Sequence, residues 1–357
     1  MTDALTLAAR HLAQQRRIAA TTMAAALREW GMLDTNHLRA SWSSIGPRLV
    51  TVLTAGQLAA AGGADDYVNA VAGTEDAGGA ESRVNPSAFA GTAADGRALD
   101  TLMLRPLFTT FEAIKGGSST AQALGAGRGL LATIIRSEVA DAGRGAVGVG
   151  IAGRRTIQGY VRVVQPPACA RCVILAGKEF GWNKGFQRHP RCDCIHLPTT
   201  LVARHQHGRI GSDSFTPTTR PGRGGSAFID PGDYFRSLSR AEQDRVFGVD
   251  GARAIRDGAD PASVVNARRG MYTADAYGRR VAATREGATR RGAFYRLERA
   301  RTEERTGTRF ARDRIEARRG LPRFELRSPR LLPEEIYRLA EDREDAVRLL
   351  RRFGYLT

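Results

Sequence analysis

The chain has 357 residues, 42% of them hydrophobic, enough to fill the cores of two or three ordinary domains and too much for a disordered polymer. No stretch approaches the roughly 20 uninterrupted apolar residues of a spanning helix, so no membrane-spanning segment is expected. The formal charge of +17 points to polyanionic company, because basic side chains that neutralise phosphates gain affinity through counterion release.

The opening, MTDALTLAARHLAQQRRIAA, has no basic leader followed by an apolar run, so the expectation is a protein made and kept in a reducing cytoplasm. Asp3 can cap a first helix whose apolar positions Leu5, Ala9, Leu12, Ile18, Met23, Leu27 and Trp30 recur three and four apart, and Gly31 ends it. A second helix starts near Thr35 or Asn36 and is expected to bend or break at Pro47 before RLVTVLTAGQLAAAG resumes the pattern. Residues 74–95 are small, polar and Gly-rich, the composition of a loop. GRALDTLMLRPLFTTFEAI and SSTAQALGAGRGLLATIIRSEVADAG are two more helices, the second opened by a Ser pair suited to N-capping. These apolar stripes call for nothing beyond helix packing.

The period changes at RRTIQGYVRVVQPP, where Ile157, Tyr160, Val161, Val163 and Val164 are strand-forming types and Pro166 with Pro167 stops the strand. CDCIHLP reads as a returning strand closed by Pro198. Residues 202–228 are a polar linker or arm rich in Gly, Thr and Pro. Helices return at LSRAEQDRVFG, with Ser239 and Glu242 as a capping box and Gly248 as a stop, and at GADPASVVNARRG, with Pro261 in the first turn. Between Arg268 and Arg319 stand 16 arginines against seven acids, more than half of the chain's excess charge. That stretch is read as basic helix. Its candidate nucleic-acid contacts are Arg268, Arg269, Arg279, Arg280, Arg290 and Arg291, to phosphate and without sequence preference. The end, from Pro333, Glu334 and Glu335 onwards, carries Ile336, Leu339, Val347, Leu350 and Phe353 as one apolar helical stripe.

All four cysteines lie in CARCVILAGKEFGWNKGFQRHPRCDC. C-x-x-C places two thiolates on one turn, where both reach a zinc ion at about 2.3 Å, and a 19-residue loop separates Cys172 from Cys192, as in zinc knuckles. The second unit offers His189, Cys192 and Cys194. On an extended strand the sulfurs of C-x-C sit too far apart for one ion without a local turn, and H-x-x-C is easier. Two ligand sets stay open: Cys169, Cys172, His189 and Cys192, or the four cysteines. Structural zinc is the favoured reading. Reduced buried thiols are the plain alternative, while a dithiol redox centre lacks a thioredoxin-like unit and disulfides suit the inferred compartment poorly. A zinc ion worth about 10–16 kcal/mol would largely hold so small a module together. His196, two residues past Cys194, is a substitute ligand or a half-buried packing residue; His205 and His207 form an H-x-H in a polar loop. No catalytic motif is visible, so no enzyme is expected; the alternative is a nuclease-like enzyme using the Cys/His cluster.

QPPACARCVILAGKEF followed by HPRCDCIHLP resembles the core of the Mu F-like minor head proteins of tailed bacteriophages, over Gln158 to Leu201, and the flanks YFRSLSRAEQDRVFGVDGARAIRDGADPASVVNARRGM and EDREDAVRLLRRFGYL resemble versions from actinobacteriophages. The resemblance implies a non-enzymatic virion component, present in few copies and needed for head morphogenesis. Its implied partners are the portal protein, the major capsid or scaffold protein, and packaged double-stranded DNA. The family's Cys and His positions fall on Cys169, Cys172, His189, Cys192 and Cys194. The fold expected is α+β and predominantly helical. Its parts are a helical domain at 1–125 for portal or partner binding, a zinc-knuckle-like module at 126–201, the arm at 202–228, a helical basic region at 229–300 and a C-terminal helical tail at 301–357.

Overall fold

The structure, a computed structural model, describes residues 4–73, 83–184, 192, 194–199, 229–290 and 292–356. They form two compact units, one from the described residues within Met1–Pro167 and Leu175–Phe228, the other from those within Ala168–Ile174 and Ile229–Thr357. The fold is α+β and predominantly helical, as its periodicities predict. Asp3, residues 74–82 of the Gly-rich loop and the arm at 202–228 lie outside the described residues.

In the first unit, α1 (Ala4–Trp30), α2 (Leu38–Gly62), α3 (Ala64–Ala72), α4 (Leu99–Lys115) and α5 (Thr120–Ala152) precede a three-stranded sheet. α5 is the spine against which α1, α2, α3 and α4 pack. Ser119 starts it with a full capping box: its hydroxyl accepts from the Gln122 backbone while the Gln122 side chain reaches back. The helix then passes unbroken through residues 125 and 126, where a domain boundary was expected. Trp30, Leu49, Leu53, Met103, Leu131, Ile135 and Val139 fill the core between these helices.

α2 does not break at Pro47, which sits inside the helix. Proline removes only its own N–H and the bond to the residue four back, and the burial of Ile45, Leu49 and Leu53 on one face outweighs that loss. The strands β1 (Gly159–Val163), β2 (Glu179–Gly181) and β3 (Ile195–Thr199) form an antiparallel sheet in the order β2-β1-β3. Pro198 is tolerated within β3 because β3 is an edge strand. Register sets Val161 opposite Leu197 and Val163 opposite Ile195, and these four side chains pack with Ala8 and Leu12 of α1. The alternate residues of β1 therefore point to the other face.

The second unit joins a short turn, α6 (Ala170–Val173), to α7 (Pro231–Ser237), α8 (Arg240–Phe247), α9 (Val249–Arg256), α10 (Pro261–Ala267), α11 (Ala293–Thr306), α12 (Arg314–Arg318), α13 (Pro333–Leu339) and α14 (Arg343–Arg352). The capping box of Ser239 and Glu242 starts α8, Gly248 stops it at φ 80°, and Pro261 opens α10, as the sequence predicts. The basic stretch is not all helix. It contains β4 (Met271–Ala276) and β5 (Arg279–Thr284), an antiparallel hairpin that β6 (Arg330–Leu331) extends into a second sheet. Tyr277 at φ 54° and Gly278 at φ 72° make its two-residue turn, a conformation that places both central residues in the left-handed region. The C-terminal stripe is likewise two helices. Ala340 is extended, and the Asp342 carboxylate accepts from the Asp345 backbone at 2.8 Å to start α14 afresh. Phe235, Phe247, Val281, Phe294, Leu331, Ile336, Leu350 and Phe353 form this unit's core.

Candidate metal centre

One face of the first sheet is apolar against α1, and the other carries buried polar residues beside Tyr160, which packs in an apolar cluster with Ala146 and Val147. Arg162 of β1 stands opposite His196 of β3, and stepping back from His196 by twos reaches Cys194 and Cys192. Both cysteines are buried and precede β3 rather than lying in it. Their sulfurs are 3.2 Å apart, so the separation that an extended C-x-C would impose does not arise.

Two arginines secure this corner. Arg162 is 1% exposed, and its Nη2 donates to Cys192 Sγ at 3.4 Å. Arg144 of α5 donates through Nη1 to the carbonyls of Cys192 at 2.5 Å and Cys194 at 3.3 Å, and through Nη2 to Asp141 Oδ1 at 2.8 Å. Burial alone would lower the Arg144 pKa, but Asp141 and the sulfurs of Cys194 and Cys192 together raise it above its ordinary value. Neither arginine belongs to the ligand set read from the sequence. The signal existed for Arg162: a charge at a strand position between Val161 and Val163, in a run of apolar residues, demands a buried partner.

Cys169 and Cys172 bracket α6. Cys169 is its N-cap, and its sulfur accepts from the Cys172 backbone at 3.3 Å. Cys172, Cys192 and Cys194 are all buried, and the three could hold a metal ion. Two sulfurs bound to one tetrahedral zinc at 2.3 Å stand about 3.8 Å apart. The 3.2 Å between the Cys192 and Cys194 sulfurs is close enough to that value for both to meet one ion. Cys194 thus belongs to the gathered group, which the set built on His189 omits; His189 itself lies outside the described residues, as do His205 and His207. His196 is a packing residue: its ring stacks on Tyr160 at 4.0 Å, and its carbonyl accepts from the Tyr67 hydroxyl at 3.0 Å.

The candidate nucleic-acid contacts fall in the second unit. Arg268 and Arg269 lie on a 3-10 turn, Arg279 and Arg280 on β5, and Arg290 just beyond it; all five are exposed, and Arg291 lies outside the described residues. The Arg285 backbone donates to Gly270 at 2.9 Å, which sets the turn at the base of the hairpin while Arg279 and Arg280 stand at its tip. Arg268 lies 3.9 Å from Glu334, and Arg279 lies 3.4 Å from Glu335. Arg330, by contrast, is buried: it donates to the carbonyls of Phe353 and Glu286 and lies 4.2 Å from the Tyr355 ring centroid, so it serves the fold. No helix among the described residues is long and apolar enough to cross a membrane.

Comparison with known proteins supplies the class. Residues 2–209, which take in the helices of the first unit and every cysteine, match a family of phage proteins. The family is VG15 protein, and the chain belongs to it. No curated protein and no solved structure matches.

Proposed function

We propose that the chain is a structural minor head protein of a tailed phage, of the Mu F-like type, acting in head morphogenesis at the portal or the inner capsid face. The observation that carries this reading is the match of residues 2–209 to a phage protein family, covering the same cysteine-bearing segment that resembles the Mu F-like core. On this reading the protein resides in the virion head. The first unit meets the portal or the major capsid or scaffold protein, and the exposed arginines of the second unit face packaged DNA. The cysteines hold a structural zinc, because a buried, thiol-rich set is the chemistry of a closed site rather than one that keeps a place open for substrate. Cys172, Cys192 and Cys194 would be ligands, with Cys169 or His189 for the fourth place.

The assignment is tested on virions of the phage that encodes the chain. Mass spectrometry of purified particles is expected to find the protein at a few copies per head, and deletion of its gene to leave heads defective. Normal infectious particles without the protein would sink the proposal. The metal is tested separately on purified protein: one zinc per chain by elemental analysis, lost in the Cys192→Ser/Cys194→Ser double variant together with the far-UV signal of the folded module. An enzyme using this site would instead lose turnover while keeping its fold, and the purified chain should leave supercoiled plasmid uncut in the presence of zinc or magnesium.

A further inference from the structure

We infer that Arg162 and Arg144 are the cationic counterpart of an anionic metal–thiolate centre, setting how tightly the cysteines hold the metal as well as filling the core. The inference rests on the metal reading above. Three thiolates around a divalent ion carry a net charge of −1, and four carry −2. A buried net charge is tolerated only when opposite charge or aimed hydrogen bonds meet it. The structure supplies both at one place. Arg162 donates directly to Cys192 Sγ from the central strand of the sheet. Arg144 holds the backbone on either side of residue 193 through the carbonyls of Cys192 and Cys194, so the paired sulfurs keep their separation of 3.2 Å.

Guanidinium suits this task better than ammonium because it is planar, always charged and weakly hydrated, and so enters a buried site at lower cost. N–H donors aimed at metal-bound thiolates lower the charge the sulfurs present to their surroundings, which favours the metal-loaded state. The two arginines reach the centre from different elements, β1 and α5; Arg162 donates to a sulfur itself, while Arg144 holds the carbonyls of Cys192 and Cys194. Arg162 is therefore the more direct probe of the charge effect.

Cobalt(II) titration of the full chain, followed through thiolate-to-cobalt absorbance and then displaced by zinc, tests this. Arg162→Met keeps bulk and removes charge; it is expected to weaken metal binding at least tenfold, the scale typical of lost supporting contacts around a metal. Arg162→Lys, which keeps a cation but loses the planar, weakly hydrated fork, should weaken binding less than Arg162→Met does. Arg154→Met is the control. Arg154 is also buried in the same unit, and it donates to Asp65, Asn69 and Gly150, so its loss should lower the melting temperature without changing metal affinity. Parental affinity in a folded Arg162→Met, or an equal loss in the control, overturns the inference. Should Arg162→Met fail to fold, Arg144→Gln decides on the same scale: a tenfold loss supports the inference and parental affinity overturns it. A parent chain that shows no thiolate-to-cobalt band would instead bring down the metal reading itself.

Discussion

At the scale of single residues, the buried polar groups are the most informative. His11 on α1 is buried and stacked on Tyr67, with ring centroids 3.9 Å apart and an interplanar angle of 7°. Burial pushes its pKa down from 6.5 to about 4, since the imidazolium would lose its water there. The unfolded chain therefore binds a proton between those two values that the folded chain refuses. Stability from this group is fully present above pH 6.5 and is lost as the pH falls towards 4, by an amount on the order of 3 kcal/mol. Urea unfolding at pH 7.5, 5.5 and 4.5 should show the loss, and His11→Phe should flatten it; equal pH slopes in the two proteins would refute the assignment. His11 was hidden in the sequence because a polar residue in an apolar stripe reads as surface. The stripe itself was legible, although the residue buried beside Leu12 is Ala8 and not the expected Ala9. The same limit applies at the cysteines. Spacing named the residues, while the arginines that hold them come from a strand and a helix brought together only by folding.

At the scale of elements, α5 owes its place to small residues. A Cβ on Gly127 would stand 2.2 Å from Thr110 Oγ1, 2.7 Å from the Pro106 carbonyl and 2.7 Å from the Trp30 ring, so α5 approaches α1 and α4 more closely there than any side chain permits. Gly127→Ala should destabilise by about 1–3 kcal/mol, overpacking outweighing the gain in helix propensity. Gly125→Ala and Gly129→Ala, where nothing lies within 4 Å, should instead stabilise by up to about 1 kcal/mol. Thermal unfolding of the three variants checks both signs, and a stabilising Gly127→Ala would show the helices free to separate. That these glycines sit in a helix was readable, because the apolar stripe and the Ser119 cap outweigh their low propensity. Which of them lies at a helix crossing was not, since that is decided by the partner helix. The β4–β5 hairpin was missed for a different reason. Its alternation, with Tyr272, Ala274 and Ala276 half-buried and their neighbours exposed, is only six residues long and is followed at once by Arg279 and Arg280. Charge was read there where period should have been.

At the scale of the whole molecule, the charge of +17 divides into arginines that serve the fold and arginines that face outward. Arg144, Arg154, Arg162 and Arg330 are all buried and cannot meet a phosphate. Arg268, Arg269, Arg279, Arg280 and Arg290 are exposed around one hairpin, which gives the DNA contact a definite place to be tested. Each phosphate neutralised adds about 0.9 to the slope of log affinity against log salt. Binding of the full chain to random-sequence duplex should therefore weaken steeply between 50 and 500 mM salt, by a law that counts contacts rather than bases. Arg279→Ala/Arg280→Ala removes the two arginines nearest the hairpin tip. It should reduce that slope by up to about 2 and weaken binding alike on every sequence, with the shortfall from 2 set by the competing pair of Arg279 with Glu335. Fluorescence anisotropy across a salt series measures both quantities. Salt-independent binding, or a slope unchanged in the double variant, would move the polyanion contact off the hairpin, and the charge excess would then report on solubility rather than on DNA.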